Sequence, residues 1–163
     1  MAHILPIRLY IFLACGLLFA NISVYQHILS LQKLTVFVLQ TGEGHATLIR
    51  NSRDKTLLID TGRDRGILRA IGNTLPVWQR HLNAVILTGT RVSYMGGLPY
   101  ISYRYALPTP ITMGTARNPY GAKIYIDTDT SVTVIAPGVF SVSDGQSSLL
   151  ISSSTQEGVY VLR

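Results

Sequence analysis

The feature that most constrains the fold of this chain is a short apolar strand that runs into a loop closed by glycines. Residues 84–87 (AVIL) predict a buried strand, Thr88 follows, and the loop ends in Gly96-Gly97-Leu98. A loop at the end of a strand can hold several donor side chains close together, where they bind one or two zinc ions and activate a water. The identity of the loop residues therefore decides whether this frame carries chemistry.

This frame resembles the metal-binding motif of the metallo-β-lactamase-like hydrolases, which reads strand-T-H-x-H-x-D-H-x-G-G-L. The four positions that hold ligands in that family are occupied here by Gly89, Arg91, Ser93 and Tyr94. None of these is a credible zinc ligand, and Arg91 would place a permanent positive charge where a cation would lie. The resemblance therefore implies a degenerate motif, with no catalytic residue, no metal ligand and no cofactor.

The sequence before the loop resembles the metallo-β-lactamase-like domain of ComEC-type DNA-uptake proteins, which serve bacterial competence. Residues 34–50 (LTVFVLQTGEGHATLIR) and 55–62 (KTLLIDTG) keep the glycines of that family. They depart from it where the family has acidic residues, because Gln40 and His45 stand in those two places. The resemblance thus lies in the conserved pattern of glycines of that family, and the residues at the family's metal-binding positions differ.

Later segments extend the resemblance to the end of the chain. Residues 131–137 (SVTVIAP) and 147–151 (SSLLI) resemble two strands of the family, which continues into T-G-D beyond residues 159–163. The resemblance implies that residues 34–163 form a truncated, degenerate αββα sandwich of the α/β (α+β) class. The positions expected to form structural turns are Asp60, Gly62, Gly96 and Gly97.

Local patterns after residue 33 predict short strands with few helices. Residues 34–39, 46–50 and 56–60 are apolar and rich in β-branched side chains, which predicts strands separated by turns. Apolar residues at helical spacing predict helices over residues 65–75 and 98–106. We find no internal repeat and expect no second folded domain.

The N-terminal residues 1–33 are predicted to be a membrane anchor and a connector. Residues 9–25 carry no charge, and with residues 4–7 they supply about 20 residues, or roughly 30 Å of helix. We expect a single transmembrane helix with the domain on the extracytoplasmic side, since Arg8 precedes the span. Two alternatives stay open, namely a cleaved signal peptide and a lipoprotein signal at Cys15.

The formal net charge of +6 is concentrated between Arg50 and Arg104. That stretch contains nine basic residues against Asp54, Asp60 and Asp64. A basic surface can attract DNA or anionic lipid, and a merely solvated surface is the alternative. The expected partners are therefore the membrane and either DNA or a membrane channel protein, and no small-molecule substrate is evident.

Tyrosines and arginines are interleaved after the loop. Tyr100 and Tyr103 are three residues apart and would share one face of a helix, with Arg91 before them and Arg104 after them in the sequence. Aromatic rings can stack on bases while arginines bind phosphate, so these four residues form a candidate patch for a polyanion or another partner. The alternative is that the tyrosines pack the helix onto the sheet.

Two classes of function remain open from the sequence. The first is a membrane-anchored, catalytically inactive module for binding or assembly, linked to DNA uptake. The second is a metal-dependent hydrolase of the phosphodiesterase or nuclease type with relocated ligands, although the four scattered histidines offer no H-x-H pair. We expect the first, because the second would have to replace every ligand of the main loop. A fragment of a split gene without function is a third alternative.

Overall fold

The computed structural model describes residues 7–30, 34–51, 53–152, 155–156 and 158–162. The chain divides into two compact units, Met1–Gln32 and Lys33–Arg163. Within these described ranges, the first unit contains one helix and the second contains the sheets and the remaining helices, so each unit is described by itself.

In the first unit, helix α1 covers Ile7–Ser30. Arg8 lies near its start and Asn21 in its second half, so the longest stretch without a strongly polar side chain is residues 9–20, about 18 Å of helix. The hydrocarbon core of a bilayer is about 30 Å thick. In the part of the chain that the structure describes, no helix is long and apolar enough to cross a membrane. The predicted single-pass membrane anchor was therefore wrong, and the extracytoplasmic placement of the domain, which rested on that anchor, loses its basis.

The described residues of the second unit form ten strands and three helices. The strands are β1 (Leu34–Leu39), β2 (Ala46–Arg50), β3 (Thr56–Ile59), β4 (Ala84–Leu87), β5 (Ile111–Thr112), β6 (Lys123–Tyr125), β7 (Ser131–Ala136), β8 (Val139–Ser143), β9 (Ser148–Ile151) and β10 (Gly158–Leu162). The helices are α2 (Gly66–Thr74), α3 (Val92–Met95) and α4 (Leu98–Arg104).

Six strands form one mixed sheet in the order β10-β1-β2-β3-β4-β5. The pairs from β10 to β3 are antiparallel, whereas β3–β4 and β4–β5 are parallel. Parallel neighbours need a crossover connection, and α2 provides the one between β3 and β4 while α3 and α4 lie in the next. As a result, the carboxyl ends of β3, β4 and β5 lie at the same end of the sheet.

The remaining four strands form an antiparallel sheet in the order β6-β7-β8-β9. It packs face to face on the six-stranded sheet through one apolar core. In that core, Val36 and Ile86 of the six-stranded sheet share a buried cluster with Val134, Phe140 and Ile151 of the other. The alternation of buried and less buried residues along β8 is typical of a strand with one face on a core.

Helices α2 and α4 cover the opposite face of the six-stranded sheet. Ile67 and Ile71 of α2 and Ile101 of α4 are buried in a second cluster with Leu48 and Leu58 of the sheet. The second unit is therefore a mixed α/β structure with three layers, made of helices, a six-stranded sheet and a four-stranded sheet. This architecture confirms the mixed α/β class predicted from the sequence.

Candidate functional site

The carboxyl end of β3 carries Asp60, of whose surface only 1% is exposed. Its backbone lies in the left-handed region at φ 57°, which aspartate adopts more readily than most side chains do. Its Oδ1 accepts a hydrogen bond from the Thr88 backbone N–H at 2.7 Å, and its Oδ2 accepts one from the Thr88 hydroxyl at 2.6 Å. Both carboxylate oxygens are therefore engaged by the residue that follows β4.

Thr88 in turn links the two sheets. Its Oγ1 accepts a hydrogen bond at 2.8 Å from the backbone N–H of Gly138, in the turn between β7 and β8. Its backbone carbonyl accepts one from the Tyr120 hydroxyl at 3.0 Å. Among the described residues, no buried side-chain nitrogen or oxygen lacks a hydrogen-bond partner. Asp60 and Thr88 thus form a satisfied polar junction between β3, β4 and the β7–β8 turn.

Burial raises the pKa of Asp60 from 3.8 to about 7, and the side-chain and backbone hydrogen bonds from Thr88 lower it in part. A pKa near neutrality is what a general base needs. The geometry does not support that role, because both oxygens already accept hydrogen bonds and the side chain does not reach solvent. The position of Asp60 is that of a structural group.

The loop between β4 and α4 lies directly on the turn that follows β3. The Thr61 N–H donates a hydrogen bond to the Tyr94 carbonyl at 2.7 Å. A Cβ at Gly96 would lie 2.1 Å from the Arg63 carbonyl oxygen, and a Cβ at Gly97 would lie 2.2 Å from the Thr61 carbonyl oxygen. Because the close neighbours are backbone atoms, these two positions require glycine.

The four positions of the degenerate motif lie on this loop. Gly89 is buried, Arg91 is exposed, and Ser93 and Tyr94 are half-buried. A Cβ at Gly89 would lie 2.9 Å from Cδ2 of Tyr94, and one at Gly138 would lie 3.4 Å from its Cε1. The aromatic ring of Tyr94 therefore occupies the space between the loop and the β7–β8 turn, where none of the four positions offers an imidazole, a thiolate or a carboxylate.

The described residues do not fit a zinc site elsewhere in the fold either. No three side chains of histidine, cysteine, aspartate or glutamate within the described ranges lie close enough together to hold a metal ion. His45 precedes β2 and His81 precedes β4, so these two exposed histidines lie at opposite ends of the six-stranded sheet. His3 lies outside the described residues, as does the side chain of His27.

Helix α4 carries the tyrosines that the sequence placed in a candidate patch. Tyr100 is 44% exposed and Tyr103 is 95% exposed, on consecutive turns of the same helix. Arg91 and Arg104 are also exposed. Tyr105, which follows α4, is 4% exposed and belongs to the apolar cluster between the helices and the six-stranded sheet. The face with Tyr100 and Tyr103 is thus open to a partner.

A second open site, which the sequence analysis did not identify, lies at the other end of β3 and β4. A surface pocket of about 450 Å³ is lined there by Arg50 at the end of β2, by Arg53 and Lys55 from the β2–β3 turn, and by Trp78 and His81 from the segment before β4. The signal available in the sequence was a tryptophan in a polar loop after Pro76, but nothing in the sequence connects that loop to a basic turn more than 20 residues earlier.

Comparisons with known proteins supply no role that could be transferred to either site. No model of a known protein family matches this chain, and no curated protein is significantly similar to it. The function is therefore inferred from the arrangement of this chain's own residues, beginning with the loop that ends β4 and the helix that follows it.

Proposed function

We propose that residues 34–163 form a metallo-β-lactamase-like domain that has lost its metal centre and acts by binding a partner. The observation that carries this proposal is the Tyr94 ring, which fills the space between Gly89 and the β7–β8 turn. In the family that the sequence resembles, a metal-binding histidine takes the position of Tyr94. A tyrosine ring packed on a glycine supplies no nitrogen ligand and takes the room that an activated water would need.

The layers of the fold support the same proposal. Helices, a mixed sheet and a second sheet correspond to three of the four layers of an αββα sandwich. The outer face of the four-stranded sheet, where a fourth layer would lie, carries the exposed side chains of Tyr125, Ile135 and Leu150. The proposed fold is therefore a partial αββα sandwich.

We infer a single-stranded nucleic acid, DNA first, as the partner of the patch formed by Arg91, Arg104, Tyr100 and Tyr103. The exposed ring of Tyr103 offers a platform for base stacking, and the exposed arginines offer charge for phosphates. DNA is also the ligand that the resemblance to DNA-uptake proteins implies. A metal-dependent hydrolase with relocated ligands is not favoured by any group of described residues.

Metal content tests the loss of the metal centre. The full chain, refolded with excess zinc and then dialysed, is expected to hold no stoichiometric zinc, manganese or iron in elemental analysis, because Gly89, Arg91, Ser93 and Tyr94 supply no suitable ligand. One tightly held ion per chain would contradict the proposal.

Fluorescence anisotropy with a labelled single-stranded oligonucleotide tests the partner. Tyr103→Ala is expected to weaken binding by about 1–3 kcal/mol through lost stacking, and Arg91→Ala with Arg104→Ala is expected to reduce the salt dependence. Tyr125→Ala and Arg117→Ala are matched controls, since both side chains are exposed and lie outside the patch. Binding that is absent at low salt, or equally affected by patch and control variants, would remove nucleic acid as the partner of this patch.

A further inference from the structure

The pocket at the amino ends of β3 and β4 has the features of a ligand site but no part in the function proposed above. It has a volume of about 450 Å³ and opens to solvent between the β2–β3 turn and the segment before β4. Asp60 and Thr88 follow the carboxyl ends of the same two strands. A four-residue strand is about 13 Å long, so the pocket and the degenerate loop lie on opposite ends of the sheet.

The aromatic group of this pocket is Trp78, which is 84% exposed. Its neighbour Val77 is 74% exposed, so the chain does not bury either side chain. Tryptophan usually contributes a large apolar area to a core or an interface, and an indole ring left in water at the wall of a pocket is suited to stack on a planar ligand. Trp78 is also the single tryptophan of the chain.

The charged groups of the pocket are mostly cations. Arg50, Arg53 and Lys55 line it together with one carboxylate, Asp54. Arg50 is paired with Asp54 at 2.8 Å, and Arg53 is paired with Asp127. Arg50 and Asp54 both reach solvent, and ion pairs of this kind contribute about 0–1 kcal/mol, so an anionic ligand can replace Asp54 as the partner of Arg50 at little cost.

Hydrogen bonds hold both walls of the pocket. The buried Asn51 accepts hydrogen bonds at its Oδ1 from the backbone N–H groups of Arg53 at 3.0 Å and of Lys55 at 2.9 Å. On the other wall, the Gln79 amide donates to the Thr56 hydroxyl at 3.1 Å. The backbone N–H groups of Arg53 and Lys55 and the side chain of Gln79 are thus held before any ligand binds, which lowers the entropy that binding would cost.

From this arrangement we propose that the pocket binds a nucleotide, with the base stacked on Trp78 and the phosphate held by Lys55 and the two arginines. A planar ring joined to an anion is the ligand chemistry that matches one exposed indole beside a cluster of cations. The nucleotide has two sources, a free mononucleotide or one unit of a single-stranded nucleic acid. The inference uses no residue of the patch on α4 and stands independently of the proposed function.

Tryptophan fluorescence of the full chain gives a direct test, because Trp78 is the only tryptophan. Thymidine monophosphate and a twelve-residue oligothymidylate are titrated separately at low salt, and saturable quenching by at least one of them is expected. Quenching by both probes would show that a free mononucleotide is sufficient for binding. Quenching by the oligonucleotide alone would show that the pocket binds a unit of a single-stranded nucleic acid. No quenching by either probe overturns the proposal.

Two sets of variants separate this site from general attraction to a basic protein. Lys55→Gln is expected to weaken binding and to reduce the salt slope by about 0.7, whereas Lys123→Gln, which removes the same charge from the four-stranded sheet, leaves both unchanged. In a chain whose patch on α4 carries Arg91→Ala, Arg104→Ala and Tyr103→Ala, Trp78→Ala is expected to weaken binding of a labelled oligonucleotide about 5- to 150-fold, whereas Trp78→Phe keeps most of the affinity and Val77→Ala keeps all of it. Equal effects of Lys55→Gln and Lys123→Gln, or of Trp78→Ala and Val77→Ala, overturn the proposal.

A triple variant of the patch on α4 separates binding in the pocket from binding at the patch. In a chain with Arg91→Ala, Arg104→Ala and Tyr103→Ala, quenching of Trp78 is expected to persist with an unchanged midpoint. Loss of quenching in that variant assigns binding to the patch on α4 and overturns the pocket. The emission of Trp78 is also measured without nucleotide at several protein concentrations. A shift that depends on protein concentration would show that a second copy of the chain occupies the pocket, and it would overturn the nucleotide proposal.

Discussion

The two ends of the parallel strands β3 and β4 differ in how their polar and aromatic groups are used. At the carboxyl ends, Asp60 and Thr88 are buried and hydrogen-bonded, and the Tyr94 ring packs on Gly89. At the amino ends, the cations of the β2–β3 turn face a pocket beside the exposed Trp78. At the carboxyl ends, where the sequence resembles a metal-binding motif, side chains of the protein fill the space. At the amino ends, where the sequence shows no motif, the pocket is open to solvent.

The proposed loss of the metal centre implies that the frame of a motif can persist for structural reasons after its ligands are gone. The glycines at positions 96 and 97 are required by backbone atoms of the turn after β3, whatever the loop side chains are. The Asp60 side chain accepts hydrogen bonds from the backbone N–H and the hydroxyl of Thr88. The glycine contacts and these hydrogen bonds all stabilise the fold, and none of them involves a metal. The contrast predicts large stability effects at the closed end and small ones at the open end.

The largest expected effect is the pH dependence that Asp60 imposes on stability. Its folded pKa of about 7 lies above the ordinary value of 3.8, because burial penalises the charged form. Between pH 4 and 7 the unfolded carboxyl ionises while the folded one keeps its proton, so the free energy of unfolding falls as pH rises. The fall amounts to about 4 kcal/mol and levels off above pH 7.

Chemical denaturation of the full chain between pH 4 and 8 measures this effect. Asp60→Asn removes the ionisable group and tolerates the same left-handed backbone, so its free energy of unfolding is expected to lack that decline. Asp129→Asn, which removes an exposed carboxyl, is the control and is expected to keep it. An Asp60→Asn profile parallel to that of the original chain would show that Asp60 is ionised in the folded protein.

The next largest effect is steric and concerns the glycines of the loop. Gly97→Ala would place a Cβ 2.2 Å from the Thr61 carbonyl oxygen, so the backbone of the loop must move, at a cost of about 3 kcal/mol. Gly72→Ala in α2 is the matched control, because its Cβ would meet nothing within 4 Å. That control is expected to stabilise the helix by about 0.5–1 kcal/mol. Equal free energies of unfolding for the two variants would mean that the loop adapts freely.

Much of this fold could be predicted from local patterns. The predicted strands over residues 34–39, 46–50 and 84–87 have the same bounds as β1, β2 and β4. These segments are short, apolar and bounded by turn residues, so the pattern within each one is sufficient. The pairing of β10 with β1 joins residues 120 to 128 positions apart and depends on packing that no local pattern records. The membrane anchor was predicted wrongly because the hydropathy of residues 9–25 outweighed the polar positions within and beside them.

The candidate sites divide in the same way. Asp60, Gly96 and Gly97 were expected to be turn residues on the basis of the resemblance, and the structure gives each one a specific contact. The pocket with Trp78 was missed because its cations and its indole come from segments separated by more than 20 residues. Only the crossover through α2 and the parallel pairing of β3 with β4 bring these segments together.

The smallest expected effect on stability comes from removing the exposed indole of Trp78. This change tests the open site at the amino ends of β3 and β4. Trp78→Ala is expected to change the free energy of unfolding by less than about 0.5 kcal/mol, because the ring is 84% exposed and few contacts are lost. Tyr94→Ala at the closed end is the counterpart and is expected to cost about 2 kcal/mol, since its ring packs on Gly89 and on the β7–β8 turn. Urea denaturation followed by far-UV circular dichroism measures both without relying on the tryptophan signal. Similar losses in the two variants would show that Trp78 supports the fold, and the pocket would then be a structural feature rather than a site kept open for a ligand.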